Sequence, residues 1–126
     1  MKNLLLVTVA GGIGSAARYL VSMGMLRLVG PGFPYGTLTV NVVGSFLIAL
    51  VIQLSLASDQ ISPVMRLTLT TGFLGGFTTY SAFNFESLEL MSRGAWRLAL
   101  TNLLVTVVTC LAAGALGWRA AKLWGN

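Results

Sequence analysis

The chain has 126 residues, of which 56% are hydrophobic and only 9% charged, and its net charge is +5. That is too little charge to cover a soluble domain of this size, and the basic residues flank apolar runs rather than cluster, which excludes a nucleic-acid-binding surface. Histidine is absent and Cys110 is the only cysteine, which excludes histidine metal ligation, histidine proton relays and an intrachain disulfide.

The composition predicts an all-α integral membrane protein, one domain over residues 1–126, with four spans of the roughly 20 apolar residues that a membrane helix needs. The first span is expected at about Leu4–Val29, interrupted by Arg18 and Arg27. Lys2 and the apolar stretch after it resemble the start of a secretory signal, but hydrophobicity resumes through Val29, so the segment reads as a span. Gly12 with Ala16, and Gly11 with Ser15, give this helix a small-residue face of the kind that packs closely in lipid, and a homodimer is expected from it. Arg18 lies near mid-span, where a charge must face protein or water. Packing or snorkelling and a vestibule role both fit it.

The turn Gly30-Pro31-Gly32-Phe33-Pro34 separates the first span from the second, about Thr37–Ala57, which carries no charge. Asn41 shares a face there with Thr37 and Ser45, each four residues away. Its amide has N–H donors without formal charge, suited to holding an anion weakly enough to release it. An interhelical hydrogen bond is the plainer use.

The third span, about Val64–Leu90, holds the most unusual stretch, Thr70 to Phe83, with three glycines and five Thr or Ser hydroxyls. Backbone can leave helical pairing at membrane depth only where protein or water satisfies it. Gly72, Gly75 and Gly76 are expected to permit such a departure and to free carbonyls as hard oxygen ligands for a small alkali cation. Close helix packing explains the glycines equally well. Tyr80 and Phe83 follow, three apart on one helix face, and their ring edges carry partial positive charge. Glu86 lies one turn further, an acid inside a span, which is rare and usually functional.

The fourth span is expected at about Leu98–Trp118, with Asn102, Thr106, Cys110 and Gly114 forming a mildly polar stripe at four-residue steps. The stripe lines an ion route or a helix seam. With four spans both termini share a side. That side collects Lys2, Arg66, Arg119 and Lys122, against Arg27, Arg93 and Arg97 opposite. Four against three is almost no positive-inside bias, so insertion in both orientations and antiparallel pairing are expected.

Three pieces of the chain resemble the small bacterial fluoride channels of the Fluc/CrcB family. They are Gly12 to Tyr19, Gly36-Thr37-Leu38-Thr39-Val40-Asn41, and Thr71 to Phe83. The resemblance implies a dual-topology antiparallel homodimer in the bacterial inner membrane, with two fluoride pores and a central structural sodium. It implies that main-chain carbonyls of Gly75 and Thr78 from both subunits hold the sodium. It matches Asn41 to the pore asparagine and Tyr80 and Phe83 to the pore aromatics, with Thr79 and Ser81 adding hydroxyls beside them. Glu86 matches a glutamate near the pore path and Arg18 an arginine toward the vestibule. Tyr80 departs from the phenylalanine of many relatives, and Cys110 and Gly114 stand where relatives carry serine and threonine. The implied activity is passive export of fluoride, with no reaction catalysed. A proton-coupled small multidrug exporter is the competing reading, but it needs a first-span glutamate where this chain has only Arg18. A non-transporting helper subunit is the other, and it leaves the third span unexplained.

Overall fold

The computed structural model describes residues 1–125, all in helices and short connections. Helix α1 spans Lys2–Val29, α2 Tyr35–Ala57 and α6 Trp96–Trp124. These three are long and apolar enough to cross a membrane. Even α2, at 23 residues, reaches about 35 Å at 1.5 Å per residue, more than a hydrocarbon core of about 30 Å. Between α2 and α6 the chain divides into α3 (Pro63–Leu67), a π-helical stretch (Thr68–Leu74), α4 (Gly75–Phe77) and α5 (Tyr80–Ser92).

Local chemistry sets these boundaries. Helix α1 stops at Gly30, which takes φ +78°, a conformation that costs glycine little. Helix α3 starts with Pro63 in its first turn and Ser62 as its cap, the Ser62 hydroxyl accepting from the Met65 amide at 3.2 Å. Helix α5 ends before Gly94, again at positive φ (+77°).

The interior is thin. Val40, Leu74 and Phe77 are its buried apolar centre, with Ala17, Val21, Leu47 and Phe73 packed around them. Most of the other large apolar side chains of α1 and α6 are exposed, and several on α2, as expected where lipid replaces water as the neighbour. With so small a core, close backbone approach does much of the packing. A Cβ on Gly76 would sit 2.2 Å from the Gly11 carbonyl oxygen, one on Gly14 2.0 Å from that of Phe73, and one on Gly117 2.2 Å from that of Phe46. The Gly11–Ser15 face of α1 is therefore taken up within the chain, against Gly76. Gly12 has open space around it and Ala16 is exposed, so only that part of the small-residue face stays free.

The glycines of the third segment stay helical, contrary to the sequence-based expectation. Gly72 lies in the π-helical stretch, and Gly75 has φ −61° and ψ −36°. Non-helical backbone comes two residues after Gly76, at Thr78 (φ −89°, ψ 159°) and Thr79 (φ −155°, ψ 116°), which are extended between α4 and α5. Gly72 and Gly76 serve proximity to α1: a Cβ on Gly72 would meet Ala10 Cβ at 2.9 Å.

Candidate functional site

Thr78 and Thr79 are held in place by α2. The Thr79 amide donates to Asn41 Oδ1 at 2.8 Å, and Asn41 Nδ2 donates back to the Thr79 carbonyl at 2.9 Å. The amide side chain thus supplies the partner that the Thr79 N–H loses on leaving the helix, and adds a donor to its carbonyl. The Thr79 hydroxyl accepts from the Ala82 amide at 3.2 Å and so caps α5. Thr78 turns its amide and its hydroxyl back onto the Leu74 carbonyl, at 3.0 and 2.8 Å. Gly44 admits the Thr78 methyl, which a Cβ there would meet at 2.1 Å.

This pairing has a consequence for two carbonyls. In a continuing helix the Thr79 amide would return to Gly75 and the Ala82 amide to Thr78. Both amides are engaged elsewhere, by Asn41 and by the Thr79 hydroxyl. No side chain among the described residues donates to either carbonyl, and Gly75 is exposed. The carbonyls of Gly75 and Thr78 are thus among the oxygens that the interruption deprives of their helical partners, as are those of Gly76 and Phe77, and oxygens of this kind suit a hard cation.

Alongside the interruption runs a groove of about 490 Å³. It brings together Asn41, Gly75, Thr78, Thr79, Tyr80, Phe83, Thr106 and Cys110, and no charged side chain lines it. The Tyr80 and Phe83 ring centroids lie 5.8 Å apart at 62°, an edge-on arrangement. Phe83 is 7% exposed and Tyr80 78%, so one ring faces into the chain and the other stands outside it. The groove continues past Ser45 and Cys110 into a second one of about 680 Å³, which Gly114, Arg119 and Lys122 also line.

The remaining sequence candidates lie apart from the groove. Ser81 is exposed, its hydroxyl 3.3 Å from that of Thr79. Thr37 donates to Glu86 Oε1 at 2.7 Å, in a separate cleft of about 440 Å³ that also holds Glu89 and Arg93, themselves an ion pair. The other Glu86 oxygen is buried without a partner among the described residues. Asn102 is 1% exposed, bonded to Ser87 and Thr106, and lines neither groove. Arg18 is half-buried, and among the described residues it forms no ion pair. Sequence reasoning passed over Ser87 and Gly44. Gly44 stands three residues after Asn41 on the same helix face, a signal that was available; Ser87 had none beyond following Glu86.

A family model described as CrcB-like protein, Camphor Resistance (CrcB), matches residues 5–118. The chain is 53% identical over 113 residues to a protein of Anaeromyxobacter dehalogenans named fluoride-specific ion channel FluC, covering 90% of each chain. Proteins of the same name from Geobacter metallireducens (44%) and Citrifermentans bemidjiense (42%) align over 122 residues, covering 97% of this chain and 98% of theirs. With its long apolar helices, and with a family match over nearly its whole length, this chain is a multi-pass membrane protein that belongs to the CrcB-like family, which consists of ion channels and not of enzymes.

Proposed function

We propose that the protein is a fluoride-specific channel that lets fluoride leave the cytoplasm passively across the bacterial inner membrane. The observation that carries this reading is the uncharged groove in which Asn41, Tyr80 and Phe83 meet. Ring edges, hydroxyls and amide hydrogens carry partial positive charge only. They replace part of a small anion's hydration without the tight binding that a formal cation would impose, and conduction needs sites that release as readily as they accept. The names of the relatives point to the same ion.

The working unit in this reading is an antiparallel homodimer with two pores. The near balance of Lys and Arg between the two sides favours insertion in both orientations. The groove is open along one side and Tyr80 projects from it, so a second copy is needed to enclose an aqueous path. Residues 63–92 act as one membrane span interrupted at Thr78 and Thr79. Gly75 and Thr78 carbonyls from both copies hold a structural sodium at the centre. The sodium supplies positive charge that satisfies four otherwise unpaired oxygens (two from each copy).

The test is efflux from vesicles loaded with fluoride, read with a fluoride electrode, with a potassium ionophore to carry compensating charge. Rapid efflux without a proton gradient, and retention of chloride, is the expected result. Vesicles that keep their fluoride would overturn the reading.

A further inference from the structure

Helix α5 carries both aromatic rings of the groove, yet it buries only Phe83 and Ser87. Apolar packing therefore does little to fix its rotation, and polar attachments must. Its start is held through Thr79 by Asn41, and Glu86 is bonded to Thr37. The third attachment is to α6, where Asn102 Nδ2 donates to Ser87 Oγ at 3.0 Å, the only hydrogen bond between α5 and α6 among the described residues.

That bond belongs to a chain with one possible direction. The Ser87 hydroxyl donates to the Phe83 carbonyl at 2.8 Å, and a carbonyl can only accept. Ser87 Oγ must then accept from the Asn102 amide nitrogen. This turns Asn102 Oδ1 toward Thr106, whose hydroxyl donates to it at 3.3 Å. Ser87 is 3% exposed, Asn102 1% and Thr106 7%. The chain thus runs from a hydroxyl on the groove wall to the backbone of the buried aromatic.

We infer that Asn102, through Ser87, is a positioning residue for conduction: it sets the angle at which α5 presents Phe83 and Tyr80, and it keeps the Thr106 hydroxyl hydrogen turned away from the groove. This rests on the channel reading above. Asn102 acts without touching the ion. With its amide removed, α5 loses its attachment to α6 and Thr106 is free to turn its hydrogen into the groove. The rings are then misplaced and a passing anion is held more tightly. Both changes slow conduction, since an ion that binds well leaves slowly.

The experiment compares Asn102→Leu, Ser87→Ala and the double variant with wild type, recording single fluoride channels in planar bilayers of neutral lipid alongside thermal stability in detergent. Single-channel conductance is reported only by assembled channels, so poor folding yield does not enter it. Each single variant is expected to lower conductance about five- to tenfold, the equivalent of one neutral hydrogen bond, and to lower stability. The double variant removes donor and acceptor together, so it regains much of the stability while its conductance stays low. A merely structural role would return conductance together with stability, and that result overturns the inference. So does wild-type conductance in the two single variants. A wild-type protein that carries no fluoride current overturns the channel reading itself.

Discussion

Asn41 has both ends of its amide engaged with the backbone of Thr79. Of its two N–H hydrogens one is thereby used, and in the channel reading the other is available to the anion. Replacing Asn41 with aspartate would turn a carboxylate oxygen toward the Thr79 carbonyl and place a negative charge on the groove. A Coulomb barrier on the order of 1 kcal/mol, with loss of the clamp added, should reduce fluoride efflux roughly tenfold or more. Efflux at the wild-type rate would place Asn41 off the path. Phe83→Ile keeps the site apolar and removes the ring edge; fluoride efflux should fall while gel filtration finds the same assembly state as in the wild type. Unchanged efflux would deny the ring its role. Asn41, Tyr80 and Phe83, which meet along one groove, stand out in the sequence because a polar residue in an uncharged span and two aromatics at helical spacing are local patterns. The partners of Asn41 and Asn102 do not. Those bonds join residues 38 and 15 positions apart, and no local periodicity encodes which polar side chain meets which stretch of backbone. Asn41 makes a bond between segments and also lines the groove, whereas Asn102 makes a bond between helices and lines neither groove.

At the scale of elements, apolar run lengths located α1, α2 and α6 within a few residues, and the true helices extend further at both ends of α6. Apolarity reports what lipid tolerates, and a helix continues past the lipid until its backbone finds a stop signal. The glycines illustrate what hydropathy cannot report. Gly12 and Gly76 look alike in sequence, yet Gly12 faces open space and Gly76 lies against the backbone of α1. Gly76→Ala would bring a methyl to within 2.2 Å of the Gly11 carbonyl oxygen, which is rigid backbone. Helix α1 must move away, at a cost of about 1–3 kcal/mol as in other overpacked cores. Gly12→Ala should be neutral or slightly stabilising, because alanine is the better helix former. Thermal unfolding in detergent measures the pair. Equal unfolding temperatures would show that the α1–α4 approach is looser than 2.2 Å implies.

At the scale of the whole molecule, the exposed apolar surface is ambiguous, since lipid and a second copy cover it equally well. The carbonyls of Gly75 and Thr78, which lose their helical partners at the interruption, narrow the choice. In hydrocarbon each unsatisfied backbone group costs several kcal/mol, so within a membrane such carbonyls would need a partner other than lipid tails. Water in an open groove would satisfy the carbonyls but would leave Tyr80 unpartnered. In the channel reading proposed above, a second copy related by a two-fold axis in the membrane plane would bring two more oxygens to the same place, and a small hard cation between them would satisfy all four. On this reading sodium binds the assembled dimer and not the separate chains, so it stabilises by mass action: about 2.7 kcal/mol at a hundred times its dissociation constant. Exchanging sodium for a bulky organic cation, at constant ionic strength, should therefore lower the unfolding temperature and shift the oligomer toward single chains. Restoring sodium should reverse both, and lithium or potassium should do so less well because their sizes differ. An oligomer indifferent to sodium would mean that the carbonyls are satisfied by protein or water, and the site would lose its cation without the groove losing its anion.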